Sequence, residues 1–164
     1  MRIEPARPED SARCQVIAVA AWERIHAERR RLLGEALYER LTGDWRGTKA
    51  GHVARHFEQH VDWVLVARDE EQGEIVGFVT FRLDREKLMG TIGNNAVDPA
   101  RQGQGIATAM YRSTLERFRA EGMRVACVET GLDEGHAPAL ATYRKVGFSR
   151  EVPSVTLYQE LDVV

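Results

Sequence analysis

Residues 97–107 read Val-Asp-Pro-Ala-Arg-Gln-Gly-Gln-Gly-Ile-Ala, and this stretch decides the fold. It joins a β-rich apolar run, which Asp98-Pro99 ends, to a helical pattern that begins near Gly105. Glycines at 103 and 105 leave the backbone bare just before the helix, where the first N–H groups have no partner inside the helix. Such a turn is typical of a phosphate-binding site, although a turn that only packs a helix on a strand gives the same pattern.

The turn matches neither of two common nucleotide-binding motifs. A Walker loop requires Gly-Lys-Ser or Gly-Lys-Thr, and no such triplet follows Gly105. A Rossmann fingerprint requires a third spaced glycine, which Gly103-Gln104-Gly105 lacks. A generic nucleotide-binding α/β protein therefore stays an alternative without a specific motif.

Composition sets the class of protein. The chain has 164 residues, 43% of them hydrophobic, which predicts a single domain over residues 1–164. A formal net charge of −2 gives no bias toward nucleic acid, and no apolar stretch reaches the length of a membrane span. Met1–Pro5 lacks the apolar core of a signal peptide, so we expect a cytoplasmic protein with no membrane partner. Cys14 and Cys127 are expected to be reduced, buried thiols.

Helices dominate the first part of the predicted chain, and a hairpin follows. After a short strand, a helical pattern reaches about Leu41 with a break near His26 or Gly34, and Gly43 ends it. Charged turns separate the later β-rich runs, the first two of which form an antiparallel hairpin. The predicted elements are a strand at Arg2–Pro5, a loop at 43–51, a helix at Gly51–His60, and strands at Val61–Arg68, Glu74–Asp84 and Thr91–Val97.

Strands and helices alternate after the glycine turn. The pattern predicts helices at Gly105–Arg119 and Gly135–Val146. It predicts an apolar strand inside the sheet at Arg124–Thr130, and a last strand at Val155–Leu161. The order of elements indicates a mixed α/β sheet flanked by helices.

Two motifs resemble those of the GNAT superfamily of acetyl-CoA-dependent N-acetyltransferases. Gln102, Gly105 and Ala107 fill its Gln/Arg-x-x-Gly-x-Gly/Ala signature, which follows a strand ending in Val-x-Pro. The second motif is residues 139–148, Ala-Leu-Ala-Thr-Tyr-Arg-Lys-Val-Gly-Phe. The resemblance covers about Trp63 to Leu161 and implies a GNAT-like fold, a central mixed antiparallel and parallel twisted sheet with helices on both faces.

The resemblance implies acetyl-CoA as the acyl donor. The pantetheine arm would pair with backbone groups near Ala96 and Val97, and the second motif, from Ala139, would complete the cofactor site. His136 stands where relatives often have asparagine, seven residues before the motif's tyrosine; it either bonds to the cofactor or lies exposed at a helix start. The pyrophosphate would bind to amides of Gln102, Gly103, Gln104, Gly105, Ile106, Ala107 and Thr108.

The resemblance also supplies a catalytic acid. Tyr143 aligns with the tyrosine that lies near the CoA sulfur in relatives, although a tyrosine that only packs its helix on the sheet fits the same position. A phenol with a pKa of about 10 gives its proton to a thiolate of pKa about 8.5 only slightly uphill. A backbone N–H near Val97 would polarise the acetyl carbonyl.

The general base is not evident from the sequence. Many relatives carry a glutamate on the strand before the turn, but residues 91–97 contain no carboxylate. Asn94 and Asn95 cannot take a proton, although either can hold a water or the substrate. Glu129, at the end of the next predicted strand, is the nearest alternative if it is not simply solvated. Deprotonation through ordered water stays open.

The remaining expectations concern partners. His52, His56 and His60 share a helix face, but nothing completes a zinc site, so no metal is expected. These histidines, Trp45 and Trp63 fall where relatives build the acceptor pocket. The predicted function is acetyl transfer to a primary amine of a small molecule or peptide, and the alternative is an acyl-CoA-binding sensor without turnover. The oligomeric state stays open, although members of the family are often dimers, and no nucleic-acid partner is expected.

Overall fold

A five-stranded sheet forms the centre of the computed structural model, which describes residues 1–161. The strand order follows the chain, β1-β2-β3-β4-β5. The first four strands pair in antiparallel fashion, and β5 pairs with β4 in parallel. The strands are β1 Arg2–Pro5, β2 Val64–Arg68, β3 Ile75–Asp84, β4 Met89–Val97 and β5 Val125–Val128.

Helices cover both faces of this sheet. On one face, Ile17 of the first helix and Val53 of the third pack against Val64 and Phe78. On the other face, residues of the last two helices pack against Val79, Phe81 and Ile92. The predicted mixed α/β fold is therefore confirmed. The helices are α1 Ser11–Leu33, α2 Glu35–Thr42, α3 Trp45–His60, α4 Ile106–Ala120 and α5 Ala137–Lys145.

Strand β4 is irregular where it approaches the glycine turn. Asn95 lies opposite Val79 and Ile92 lies opposite Phe81, so β4 uses one residue more than β3 over this interval. This is a β-bulge, and bulges bend the strand that contains them. The pairing of β4 with β5 ends at Ile92 and Val128. A gap therefore opens between β4 and β5 just beyond the bulge.

The prediction of a loop at 43–51 is wrong, because α3 begins at Trp45. Asp44 caps this helix, and its side chain accepts a hydrogen bond from the Gly47 backbone N–H at 3.0 Å. Glycines at 47 and 51 weaken the helical pattern, which explains the late predicted start. The break in the N-terminal helical region does fall at Gly34, where φ is +76°.

Two predictions about the last strands are also wrong. β5 lies at the edge of the sheet rather than inside it. Val155–Leu161 forms no strand, and its apolar side chains are exposed, Leu157 by 84%. Alternating apolar residues favour a half-buried strand, but a strand also needs a neighbouring strand to pair with.

Candidate functional site

A cavity of about 650 Å³ lies beside the gap between β4 and β5. One wall is residues 20–25 of α1, and the opposite wall belongs to α5 and the loop before it. The β4 residues Asn95, Ala96 and Val97 and the glycine turn close the remaining side. The cavity thus joins the bulged end of a strand to the start of α4.

The glycine turn holds two left-handed residues at the entrance to α4. Gly103 has φ +78°, and Gly105, the N-cap of α4, has φ +79°. This region costs other residues about 1–2 kcal/mol, so the backbone itself requires glycine here. A Cβ at either position would meet no atom within 4 Å. The space beside both glycines is therefore open.

The surroundings of the turn favour an anion. The first N–H groups of α4 have no partner inside the helix, and the positive end of the helix dipole lies there. Arg24, Arg101 and Lys145 also line the cavity. Arg101 donates to Asp69 at 2.5 Å, and this hydrogen bond lowers the pKa of the Asp69 carboxyl.

Most residues predicted to bind the cofactor line this cavity. Gln104 does not, and its side chain instead accepts a weak hydrogen bond from Arg101 at 3.4 Å. His136 is not a lining residue either, although Gly135 beside it is. The predicted residues that do line the cavity are Ala96, Val97, Gln102, Gly103, Gly105, Ile106, Ala107, Thr108 and Ala139.

Asn95 connects the cavity to two tyrosines. Its side-chain amide donates to the Tyr143 hydroxyl at 2.9 Å and to the Gly93 carbonyl at 3.0 Å. Its side-chain oxygen accepts from the Tyr111 hydroxyl at 2.6 Å. The rings of Tyr111 and Tyr143 stack with centroids 4.6 Å apart. The Asn95 side chain therefore uses its NH2 group twice as a donor and one lone pair of its oxygen as an acceptor within the site.

Tyr143 lies beneath the cavity surface rather than on it. Its side chain is buried, whereas Asn95 and Tyr111 line the cavity. Burial raises the pKa of Tyr143, and the neighbouring Tyr111 hydroxyl and Asn95 amide offset only part of that effect. The phenol is therefore protonated at neutral pH. Sequence reasoning gave Tyr111 no role, because its spacing in α4 only indicated a core position.

A family comparison agrees with this geometry. Residues 21–148 match the model described as "Acetyltransferase (GNAT) family". The chain belongs to this family. The match includes the glycine turn, the bulged strand and the tyrosine of the second motif, so the resemblance noted in the sequence is confirmed. The family is one of acyltransferases.

Relatives and solved structures support the same assignment. The mycothiol acetyltransferase of Kytococcus sedentarius is 29% identical over 142 residues, which are 82% of this chain and 43% of that protein. The chain thus spans less than half the length of this curated relative. A mutant of a Bacillus halodurans protein has a TM-score of 0.73 at 16% identity, covering 98% of this chain and 100% of that one. A GNAT family acetyltransferase from Brucella melitensis, solved with acetyl-CoA, has a TM-score of 0.57 at 21% identity, covering 97% and 95%.

The cavity wall that α1 forms carries one aromatic residue, and a lysine of α3 lies buried behind it. Trp22 lines the cavity, and behind it the Lys49 ammonium lies 3.2 Å from the centre of the indole ring. Lys49 donates to the Asn94 side-chain oxygen at 2.6 Å. Burial lowers the pKa of Lys49 to about 7. The sequence indicated Trp45 and Trp63 here instead, but Trp45 stacks on His26 and Trp63 on His60, and neither lines the cavity.

The predicted base candidate lies elsewhere. Glu129 follows the end of β5, is exposed, and is not among the residues that line the cavity. A different carboxylate, Asp133, contacts His136 at the start of α5. Sequence reasoning missed this pair, because two loop residues separate its members and only the fold turns them toward each other.

The three histidines of α3 do not form a cluster with other ligands. His56 is buried, His52 is exposed, and His60 stacks on Trp63. Across residues 1–161, no group of three or more His, Cys, Asp or Glu side chains is arranged to hold a metal ion. Within the same residues, no helix is both long and apolar enough to span a membrane.

Proposed function

We propose that this chain transfers an acetyl group from acetyl-CoA to a primary amine of a small molecule. The observation that carries the proposal is the single cavity that joins the left-handed glycine turn to the Asn95–Tyr143 hydrogen bond. One end of the cavity suits a diphosphate. At the other end, the protonated phenol of Tyr143 lies behind Asn95. Acetyl-CoA has a diphosphate at one end and a thioester at the other.

The residues present fit acetyl-CoA along its length. Amides of the turn and of the first turn of α4 would bind the diphosphate, with Arg101 and Lys145 beside them. Ala96 and Val97 pair with β3 but lie past the last β4–β5 pair, and the Gln102 side chain donates to the Val97 carbonyl at 3.3 Å. The side of β4 that β5 leaves uncovered there would pair with the amide-rich arm. The complex of the Brucella melitensis protein with acetyl-CoA supports this choice of donor.

The chemistry requires a proton for the departing sulfur. Asn95 donates to the Tyr143 oxygen, so the hydroxyl hydrogen of Tyr143 is left for another acceptor. A backbone N–H at the β4 bulge would stabilise the negative charge on the carbonyl oxygen. In this assignment Tyr143 is the acid, and Asn95 orients it.

The acceptor is proposed at the level of chemical class. The Kytococcus sedentarius relative is named for a small-molecule thiol, mycothiol, which supports a small-molecule acceptor. Trp22 and the residues behind it would contact that acceptor. A homodimer, a cytoplasmic location and a single domain over residues 1–164 stay predictions.

A second candidate function is an acyl-CoA sensor without turnover. The observation that favours it is the absence of a carboxylate on β4, where many relatives carry their base. The buried and hydrogen-bonded Tyr143 favours the enzyme instead. A sensor would bind acetyl-CoA and release no thiol in the presence of any amine.

Titration calorimetry with acetyl-CoA, CoA and ATP tests the proposal. We expect saturable binding of acetyl-CoA and CoA and no heat with ATP. Binding of ATP in preference to CoA would overturn the cofactor assignment and favour a generic nucleotide-binding protein. No binding of any of the three would mean that the glycine turn only packs α4 on the sheet.

A further inference from the structure

We propose that His136, oriented by Asp133, is the general base that removes the proton from the acceptor ammonium. The inference rests on the proposed function, because an amine reaches its nucleophilic form only after losing that proton. His136 replaces Glu129 as the candidate base. The role proposed for His136 is then catalysis rather than contact with the cofactor.

Both oxygens of Asp133 bind His136. The ring nitrogen Nδ1 lies 2.7 Å from Asp133 Oδ2, and the backbone N–H donates to Oδ1 at 3.2 Å. We assign the ring hydrogen to Nδ1, because an ionised carboxylate only accepts. Nε2 then carries the free lone pair. An imidazole held by a carboxylate in this way is a recurrent proton acceptor, since the carboxylate fixes the tautomer and stabilises the imidazolium.

The pair borders the cavity. Gly135, Pro138 and Ala139 flank His136 along the chain, and all three line the cavity. The His136 ring meets Trp22 edge-on, with centroids 6.2 Å apart and planes at 89°. Its side chain is 21% exposed, so it is neither sealed in the core nor free in solvent.

Two glycines make room for the pair. A Cβ at Gly131 would overlap both Asp133 Oδ2 and His136 Nδ1. A Cβ at Gly135 would lie 2.9 Å from Asp133 Oδ1 and 3.0 Å from the backbone of Ile25 on α1. Neither glycine has a positive φ, so packing against the pair explains both positions.

Competing bases are less well placed. Glu23 lines the cavity but is bound by both ends of the Arg46 guanidinium at 2.8 Å. Glu129 is exposed, and neither it nor its neighbours in the chain line the cavity, unlike the neighbours of His136. Lys49 is 5% exposed and covered by the Trp22 ring.

The proton balance closes on named atoms. The ammonium gives one proton to His136 Nε2, and the freed lone pair forms the N–C bond as the C–S bond breaks. The sulfur takes the Tyr143 proton, and the phenolate regains one from the nitrogen, which leaves the amide. His136 then releases its proton to water. Each turnover therefore yields one N-acetylated amine, one thiol and one proton.

The charged groups around His136 come from three elements. Glu134 neighbours Asp133 in the loop, and Arg24 of α1 donates to the Glu134 carbonyl at 3.3 Å. Glu28 of α1 is bound by Arg31, and Lys49 of α3 lies across Trp22. Burial raises the pKa of Asp133, but the hydrogen bond and charge of His136 outweigh burial and leave that pKa lowered. Asp133 is therefore ionised wherever the enzyme would work.

The test is the pH profile of kcat/KM for thiol release in wild type and in His136→Gln. We expect the variant to lose about 100-fold at pH 7. The loss should shrink as the pH approaches the pKa of the acceptor, because solution then supplies the free amine. The dissociation constant of acetyl-CoA should stay unchanged. His52 of α3 is exposed and does not line the cavity, contrary to the pocket position expected for it, so His52→Gln is the matched control and should keep the wild-type profile.

Two further variants test whether the Asp133–His136 pair, rather than Lys49, causes the pH dependence. Gly131→Ala displaces the pair while keeping every titratable group, and it should reproduce the pH-dependent loss. Lys49→Met should keep the wild-type fall in kcat/KM toward low pH, which would exclude Lys49 as the group responsible for that fall.

Three results would overturn the assignment. The first is a loss of kcat/KM in His136→Gln that is equal at all pH values. The second is weaker acetyl-CoA binding in that variant at unchanged kcat. The third is that the fall of kcat/KM toward low pH disappears in Lys49→Met or Glu129→Gln instead. A wild type that binds no acetyl-CoA would end the proposed function itself, and the titration described above detects that case separately.

Discussion

The side-chain amide of Asn95 on β4 lies 2.9 Å from the hydroxyl of Tyr143 on α5, which places the β-bulge and the second motif in one hydrogen-bonded unit. The residues are 48 positions apart in the chain. Asn95 lines the cavity and Tyr143 lies directly behind it. The phenol is therefore one hydrogen bond away from a residue of the cavity wall.

Replacing Tyr143 with Phe should lower kcat by about 100-fold, because it removes the acid and leaves the ring packing intact. The dissociation constant of acetyl-CoA, measured by calorimetry, should not change. Tyr158→Phe is the matched control, since that tyrosine lies outside the cavity and only accepts a 3.3 Å hydrogen bond from Arg29. Unchanged turnover in Tyr143→Phe would mean that the acid is another group.

Replacing Gly105 with Ala should weaken acetyl-CoA binding as well as destabilise the fold. The left-handed backbone at φ +79° costs alanine about 1–2 kcal/mol. Relaxing that strain turns the first amides of α4 away from the cavity. Calorimetry and thermal unfolding, run on the same sample, would separate the two effects.

Gly122→Ala is the control for this substitution. Gly122 follows α4, has the same φ of +79° and does not line the cavity. It should lose similar stability and keep its affinity for acetyl-CoA. Equal loss of affinity in both variants would show that strain alone, and no phosphate site, explains the first result.

Lys49 should make the protein more stable as the pH rises from 7 toward 10. Burial lowers its pKa in the folded state from the ordinary 10.5 to about 7. Between these values the unfolded chain holds the proton and the folded protein does not, so the free energy of unfolding increases with pH. The increase approaches about 1.4 kcal/mol per pH unit for one group.

Urea unfolding of Lys49→Met and wild type at pH 7, 8 and 9 measures this effect. The free energy of unfolding of wild type should rise relative to that of the variant with each step in pH. The exposed Lys87→Met is the control and should show no such trend. A constant difference across the series would contradict burial of the Lys49 amine.

Leucines at 65 and 157 should respond very differently to alanine. Leu65 on β2 lies in the core, and Leu65→Ala should cost about 2–5 kcal/mol of unfolding free energy. Leu157 is 84% exposed, and Leu157→Ala should change stability by less than about 0.5 kcal/mol. A loss of several kcal/mol at Leu157 would show that residues 155–161 pair as the strand that their sequence pattern predicts.

Local patterns predicted the mixed sheet and most elements well. The glycine turn, the hairpin and α4 each depend on a few neighbouring residues, so their signals are visible in the sequence. The start of α3 was missed because Gly47 and Gly51 interrupt its pattern. The last predicted strand was wrong because strand formation needs a partner, which a single segment does not reveal.

The candidate site divides in the same way. The residues proposed to bind the cofactor around Gly103 and Gly105 follow one another in the chain, so a motif points to them. The Asn95–Tyr143 bond, the Asp133–His136 pair and the Lys49–Trp22 contact depend on the fold, and composition gives no sign of them. The sequence shows Asn95 as a polar residue in an apolar strand, but it does not show that Tyr111 and Tyr143 are its hydrogen-bond partners.

The most direct test of the central claim is acetyl transfer itself. The protein would be incubated with acetyl-CoA and a panel of small primary amines, each beside its tertiary counterpart, and free thiol and product mass would be measured together. The account predicts, for at least one primary amine, thiol release equal to the amount of product that carries one added acetyl group, and none with the tertiary counterpart. Acetyl-CoA that binds but yields neither thiol nor product with any amine would contradict the enzyme and favour the sensor.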